Sequence, residues 1–376
     1  MSATAAAIPM FDYVEQYARI KEEILAAIEE VLSSGSLILG PRVHAFERHF
    51  GDWLGVPGFA VGVGNGTDAL AIALRALGVG PGDEVITVAN TAVPTGSAIG
   101  MAGARPIFSE IDPSTLLMDL ADAESRITPR TKAIVAVHLF GNAVNMPQLA
   151  EMAARHNLAL VEDCAQATGT TWQDRHVGTF GDVGCFSFYP TKNLGAYGDG
   201  GLCFTRSAEL AAAMHQIRAY GLATSYDCQR IGVNSRLDEL QAAILDVKLR
   251  HLPAWLARRR AVAACYDRYL DPSIVRPRIA DGTRHSYHLY VIESERRASI
   301  IERLKAEEIG FGIHYPKPLH WMPGFQAAAV VQPSLPITER MASCILSLPC
   351  YPELSLEAVQ KTCSIVNDAH HQKRRD

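Results

Sequence analysis

The residue most suited to chemistry is Lys192. It follows a short apolar and aromatic run, Cys185-Phe-Ser-Phe-Tyr189, that Pro190 terminates, and it opens a loop containing Gly195, Gly198, Gly200 and Gly201. The run reads as a buried strand, and proline ends it for want of a ladder N–H. A lysine placed just past a buried strand loses solvation. That lowers its pKa and makes the amine a better nucleophile and Schiff-base former; the same lysine in an exposed turn would have no role.

Two further segments carry chemistry. In Gly62-Val-Gly64-Asn-Gly66-Thr67-Asp68 a glycine-rich turn feeds a helix starting near Thr67. The first N–H groups of a helix lack internal partners and the dipole is positive there, so the turn can hold an anion. Thr67 adds a hydroxyl, or serves only as a cap. The turn lacks the Gly-Lys-Ser/Thr of a Walker loop, and its glycine spacing is wrong for a dinucleotide fingerprint, which disfavours a nicotinamide oxidoreductase. In Leu158-Ala-Leu-Val161-Glu162-Asp163-Cys-Ala-Gln166 an apolar strand ends in two acids. Asp163 at the carboxyl end is costly to bury unless paired, either structurally or with a cationic ring nitrogen. An anion-binding helix mouth, a strand-end aspartate and a loop lysine are together what pyridoxal 5'-phosphate requires of a protein. In that reading Asp163 keeps the ring nitrogen protonated and Lys192 carries protons at the substrate carbon. Ser187 adds a hydroxyl to the phosphate, and Gln166 bonds the phenolic oxygen.

These residues are positioned by an alternation of strands and helices. Strands are predicted at 84–88, 106–111, 133–138, 158–161 and 185–189. Helices are predicted at 14–32, from Gly40-Pro41 to about Leu54, from Thr67, at 95–102 and at 146–156. The rhythm specifies an α/β domain with a mostly parallel sheet that binds ligands at the carboxyl ends of its strands. Beyond it come a polar stretch at 223–230, helices at 236–252 and 253–270, and a strand at 287–293. A helix at 296–309, a short strand at 311–315 and a loop at 323–338 follow. The division expected is an arm over 1–15, a large α/β domain over 16–250 and a smaller α+β domain over 251–376, with the active site between the two domains.

Composition narrows the class. Hydrophobic residues make up 48% and charged residues 20% of 376, with a net charge of −5, which disfavours a nucleic-acid partner. The basic tail Lys373-Arg374-Arg375 reads as a solvated end. Eight cysteines without a Cys-x-x-Cys pair indicate neither a metal site nor a disulfide framework, and fit a reducing compartment. No apolar run reaches the length of a membrane span, so a soluble, cytoplasmic protein is expected, with no membrane association.

The ordered motifs resemble the nucleotide-sugar aminotransferases of the DegT–StrS family, within fold type I pyridoxal-phosphate enzymes. The likeness runs through Gly66-Thr67-Asp68-Ala-Leu, Glu162-Asp163-Cys-Ala-Gln166 and Ser187-Phe-Tyr-Pro-Thr-Lys192-Asn-Leu-Gly. It continues through Asn234-Ser-Arg236-Leu-Asp-Glu-Leu-Gln-Ala-Ala and His314-Tyr315-Pro-Lys-Pro-Leu-His320. The resemblance implies a seven-stranded-type, mostly parallel sheet sandwiched by helices, and pyridoxal 5'-phosphate held by Gly66, Thr67, Asp68, Asp163, Gln166, Ser187, Lys192 and Asn234. Asn234 would reach the phosphate from a neighbouring subunit, implying an obligate homodimer with shared sites; by itself it reads as a helix cap. His314, Tyr315, His320 and Arg236 would contact substrate.

The activity implied is transamination of a dTDP- or UDP-linked keto sugar with L-glutamate as amino donor. The pattern Lys192-Asn-Leu-Gly-Ala-Tyr-Gly-Asp199-Gly-Gly resembles members that aminate C3 of a 3-keto sugar. Members acting on C4 tend to carry Lys-Thr…Gly-Glu-Gly-Gly. Three alternatives stay open: amination at C4 instead of C3, a pyridoxal-phosphate sugar dehydratase, in which related proteins replace the lysine by histidine, and a non-catalytic cofactor-binding sensor. Where many members stack an aromatic residue on the cofactor ring, this chain has Ala92, leaving a small residue or His138 to cover that face.

Overall fold

The computed structural model describes residues 7–224, 226–326 and 334–371. Its centre is a seven-stranded sheet of β1 (Phe59–Val63), β2 (Glu84–Val88), β3 (Arg105–Ser109), β4 (Thr131–Val137), β5 (Ala159–Asp163), β6 (Val183–Ser187) and β7 (Gly201–Thr205). The spatial order is β1-β7-β6-β5-β4-β2-β3. Strand β7 runs antiparallel to both neighbours, and the remaining pairings are parallel.

The residues of β2 are all buried, because helices cover both faces of a parallel sheet. Alternation then sorts side chains between two cores. Val85, Val135, Val161 and Val183 pack with Leu70, Ile72 and Leu74 of the helix Gly66–Ala76. Ile86, Ile134, Ala136 and Leu160 pack on the other face with Leu149 and Met152 of the helix Met146–Arg155.

The C-terminal portion is joined to this second face by the same period-two logic. The strand Tyr290–Glu293 pairs antiparallel with Ile345–Leu348. Leu289 and Val291 enter the core beneath the large sheet. Tyr290 and Ile292 enter a separate core with Ile300, Leu304, Val359 and Val366 from the helices Arg297–Ala306 and Leu356–His371.

Several expectations meet a different outcome. The helices predicted at 236–252 and 253–270 are one helix, Glu239–Tyr269, which carries the chain through position 250. An interior proline costs about 3 kcal/mol through its missing N–H and its clash with the preceding turn. Here Leu245, Leu249, Leu252 and Leu256, on both sides of Pro253, bury into one core and outweigh that penalty. The strand expected at 311–315 is a single bridge, Gly312 to Ser347, since Pro316 and Pro318 deny the segment further ladder donors. The loop expected at 323–338 contains helix Pro323–Gln326 and the start of Pro336–Cys344; residues 327–333 lie outside the description. The polar stretch at 223–230 overlaps a small hairpin, Leu222–Thr224 with Asp227–Cys228. The arm meets the C-terminal portion through an Ile8–Ile309 bridge before the helix Tyr13–Ser34 begins; residues 1–6 and the basic tail lie outside the description.

Candidate active site

The carboxyl ends of β1, β2, β4, β5 and β6 converge on a cavity of about 230 Å³. Its lining includes Gly66, Thr67, Ala92, Asp163, Ser187 and Lys192, so three motifs distant in sequence meet at one place, as the rule for open parallel sheets requires.

The helix Gly66–Ala76 points its N-terminus at this cavity. Asn65 caps it, its side-chain oxygen accepting the Asp68 N–H at 2.9 Å, while the Gly66 and Thr67 N–H groups take no acceptor among the described residues. Ser187 lies so close that a Cβ on Gly66 would stand 2.6 Å from the Ser187 Cβ. Glycine is therefore what lets the end of β6 reach the helix mouth. The Ser187 hydroxyl accepts the Tyr189 N–H at 3.4 Å, leaving its own hydrogen free to donate. Two free N–H groups, two hydroxyls and a helix dipole make a receptor for a phosphate.

Asp163 closes β5 and is only 4% exposed. Its Oδ2 accepts the Thr95 hydroxyl at 2.8 Å and its Oδ1 the Ala165 N–H at 3.1 Å. Burial pushes its pKa up, against the pull of those two donors. The preceding residue, Glu162, points to the opposite face. It accepts the N–H groups of Gly178 at 2.8 Å, Phe180 at 2.7 Å and Gly181 at 2.8 Å, and meets His138 Nε2 at 3.1 Å. Although burial works against its charge, the His138 bond and the backbone donors hold its carboxyl below the usual range. His138 Nδ1 accepts the Val144 N–H at 3.1 Å, so both ring nitrogens are engaged beneath the sheet. His138 consequently does not cover the cavity; the small residue Ala92, with Pro94, lines it instead. Cys164 completes a buried group with His138 and Glu162, whose ligand atoms lie within 4.8 Å of one another. The hydrogen bonds just described already occupy the glutamate oxygens and both imidazole nitrogens.

Lys192 enters from the turn after β6, its N–H donating to the Tyr189 carbonyl at 2.9 Å. Burial lowers its pKa from 10.5 to about 8, with the Asp163 charge opposing that shift. Its amine has no hydrogen-bond acceptor among the described residues. The loop behind it is pinned at several points. Asn193 donates to the Thr168 and Ser286 carbonyls at 3.2 and 3.3 Å, Tyr197 N–H to Gln241 at 2.9 Å, and Lys248 Nζ to the Gly195 carbonyl at 2.7 Å. Gly195 itself is required, since a Cβ there would lie 2.4 Å from the Pro190 carbonyl oxygen.

The other expected residues divide. Gln166 lines the cavity, accepts the Phe140 N–H at 2.9 Å and donates to the Tyr315 hydroxyl at 2.8 Å, which draws Tyr315 to the same site. Burial, then the Asp163 charge, pushes the Tyr315 phenol up to about 12. His314 pairs with Ser347 at 2.8 Å, and burial followed by the Lys192 charge lowers its pKa to about 4.

Asp68 stands behind the helix mouth, not in the cavity. Its Oδ2 accepts Asn65 at 3.0 Å and the Ser235 hydroxyl at 2.6 Å, because the cap geometry turns the third helical side chain away. His320 is buried against Glu339 at 3.1 Å. Asn234 is exposed, and the Arg236 guanidinium lies 5.6 Å from the Tyr220 ring centre; neither lines the cavity of its own chain. Sequence reasoning missed Thr91, Thr95, Tyr189 and Asp199 as lining residues. The Thr91–Thr95 pair carried a usable signal, two hydroxyl residues four apart at a helix start.

The groups present match one cofactor chemically. The helix mouth suits a phosphate, the buried carboxylate suits a cationic ring nitrogen, and the unpaired lysine suits an aldehyde. Fold and site thus define a pyridoxal-phosphate enzyme. Residues 18–367 match the DegT/DnrJ/EryC1/StrS aminotransferase family, and the chain belongs to it. It is 46% identical, over 96% of its length and 98% of the relative's, to the dTDP-3-amino-3,4,6-trideoxy-alpha-D-glucose transaminase of Micromonospora megalomicea subsp. nigra. It is 41% identical to the UDP-N-acetyl-3-dehydro-alpha-D-glucosamine 3-aminotransferase of Acidithiobacillus ferrooxidans, over 97% of this chain and 98% of that one. Among solved structures, S. venezuelae DesV in complex with a ketimine intermediate superposes with a TM-score of 0.95. That structure is 40% identical and covers 98% of this chain and 100% of its own. The protein is a pyridoxal-phosphate-dependent aminotransferase that makes amino sugars. No helix among the described residues is long and apolar enough to cross a membrane.

Proposed function

We propose that the enzyme moves an amino group from L-glutamate to the C3 carbonyl of a dTDP- or UDP-linked 3-keto sugar, in a homodimer whose subunits share their active sites. The observation carrying this reading is the meeting of Lys192, Asp163 and the Gly66–Thr67 helix mouth in one cavity. The C3 assignment and the choice of nucleotides rest on the two named relatives.

Bound cofactor supplies an electron sink for the carbanion formed at the substrate carbon. The chain's own residues supply the remainder. Gly66, Thr67 and Ser187 would hold the phosphate. Asp163 would keep the ring nitrogen protonated, and Gln166 would bond the phenolic oxygen. Lys192, whose amine burial brings down to about 8, would be the group that carries the proton at the donor carbon. In the second half the same amine works in reverse on the sugar. His314 and Tyr315 are the substrate contacts of this chain, Tyr315 being anchored through Gln166.

Asn234 is assigned to the partner's phosphate. Supporting this, it is exposed and outside its own cavity, beside the exposed apolar side chains of Tyr220 and Ile231. Exposed Val14, Leu25 and Leu32 of the first helix add apolar surface for a second copy. Eight free cysteines suit the cytoplasm.

The test offers the holoenzyme dTDP- and UDP-linked 3-keto and 4-keto sugars with L-glutamate, and reads 2-oxoglutarate and product mass. Amination of a 3-keto sugar supports the proposal; turnover of 4-keto sugars alone overturns the C3 assignment. Mixing Lys192→Ala and Asn234→Ala subunits tests the shared site. The heterodimer regains one intact site only if Asn234 serves its partner.

A further inference from the structure

We propose that Thr95 is a positioning residue for Asp163: the end of a hydroxyl chain that fixes this carboxylate and limits how strongly it draws on the proton it shares with the cofactor ring. The inference rests on the reading that Asp163 faces the ring nitrogen.

Its basis is the direction of three hydrogen bonds. Thr95 Oγ1 lies 2.8 Å from Asp163 Oδ2 and 3.0 Å from Thr91 Oγ1. An ionised carboxylate only accepts, so the single Thr95 hydrogen is committed to Asp163. The Thr95 oxygen must then accept from Thr91, and the order Thr91 to Thr95 to Asp163 is set. Both threonines are 2% exposed, so water does not replace either bond. The Ala165 N–H meets the other carboxylate oxygen at 3.1 Å. Each oxygen therefore has one fixed donor from the protein and a lone pair left over, and the carboxylate plane is held from two elements.

The local sequence explains the arrangement. Pro94 occupies the first turn of the helix Val93–Met101, where a missing N–H costs nothing, and Thr95 follows it with its side chain directed at the end of β5. Thr91, four residues earlier in the bend before the helix, lies within reach of it. Hydrogen bonds to a charged acceptor are the stronger class, and two of them offset part of the burial that raises the Asp163 pKa. The other ionisable groups facing Asp163 are Lys192 across the cavity, Tyr315 beside Gln166, Cys164 next in the chain, Cys185 opposite it on β6, and His138 with Glu162 below; substitution at 95 touches none of these.

Without the Thr95 donor the carboxylate becomes more basic and freer to rotate. Either effect lowers the positive charge on the ring. The nitrogen linking Lys192 to the cofactor then keeps its proton to higher pH.

The experiment is a pH titration of the holoenzyme's visible absorbance, with cofactor affinity measured in parallel. In Thr95→Val the midpoint is expected to rise by about half a unit or more, and cofactor affinity to fall about tenfold. Thr95→Ser is expected to restore both. Thr91→Val should give a smaller rise in the same direction, and decides the matter if Thr95→Val does not fold. A midpoint unchanged in Thr95→Val, or not restored by serine, overturns the inference. Asp163→Asn separates the two levels. If it leaves the midpoint unmoved, the placement of Asp163 at the ring fails; if it moves the midpoint while Thr95→Val does not, only the inference about Thr95 fails.

Discussion

Two buried lysines, one on the loop after β6 and one on the long helix that braces it, show how surroundings divide the roles of two such amines. Lys192 and Lys248 are both desolvated, and burial lowers both, to about 8 and about 7 respectively. Yet Lys248 is 2% exposed and fully engaged, its amine donating to the Gly195 carbonyl at 2.7 Å and lying 3.8 Å from the Tyr197 ring centre. Lys192 has an open cavity before it and Asp163 across from it. Burial alone thus yields a depressed amine in both places. The absence of an acceptor makes one a nucleophile, and a fixed acceptor makes the other a clamp on the very loop that carries its counterpart.

Removing each amine should separate these roles. Lys192→Ala is expected to lower turnover by about a thousandfold or more, because it deletes the proton carrier itself. The visible band of lysine-bound cofactor should vanish while the melting temperature changes little. Lys248→Met should do the reverse. It leaves the Gly195 carbonyl unpaired in the interior, at a cost of about 1–3 kcal/mol read by denaturant unfolding. Turnover should fall roughly tenfold through a looser Lys192 loop, an estimate by analogy with misplaced catalytic groups, with the band wavelength unchanged. Loss of the band in Lys248→Met at full cofactor occupancy would break the comparison.

The same contrast shows where sequence was legible. Lys192, Asp163 and Thr67 stood out because each follows an element boundary that local rules detect: a proline stop, two acids after an apolar run, a glycine turn before a helix. Lys248 gave no such signal. It lies inside the long helix Glu239–Tyr269, where a lysine reads as surface, and only the tertiary approach of Gly195 reveals its role. Thr95 offered only the signal of two hydroxyl residues four apart at a helix start, and its partner, 68 positions away, was not legible. The parallel sheet was legible from alternating strand and helix periods. The unbroken helix through Pro253 was not, because packing on both sides overrides a local rule. Asp68 and His320 were assigned by resemblance to motifs, and in the structure they meet Ser235 and Glu339, partners that no local pattern reveals.

Cofactor uptake gives a finer measure of the two amines. Only a neutral amine attacks an aldehyde, so the rate at which cofactor-free enzyme binds pyridoxal phosphate covalently should rise with pH. Its midpoint should lie near the depressed Lys192 value of about 8, well below that of an ordinary lysine. Lys248→Met should leave the midpoint in place. A midpoint near 10 or above would mean that Lys192 is solvated, and the distinction from a surface lysine would fail.

The smallest effect concerns stability, and its sign follows from linkage. Lys248 has a folded pKa of about 7, below the 10.5 of a free lysine. Between those values the unfolded chain binds the extra proton, so the contribution of Lys248 to stability rises with pH across that window. It is complete above the unfolded value and lost as the pH falls through the folded one. The Gly195 carbonyl and the Tyr197 ring both favour the charged amine, and Glu353 does so electrostatically, yet burial outweighs them. The unfolding free energy of the wild type minus that of Lys248→Met should therefore increase from pH 7 to pH 10. A difference that is flat or falling over that range would show that the bonds to Gly195 and Tyr197 win, and that Lys248 is a charged clamp throughout.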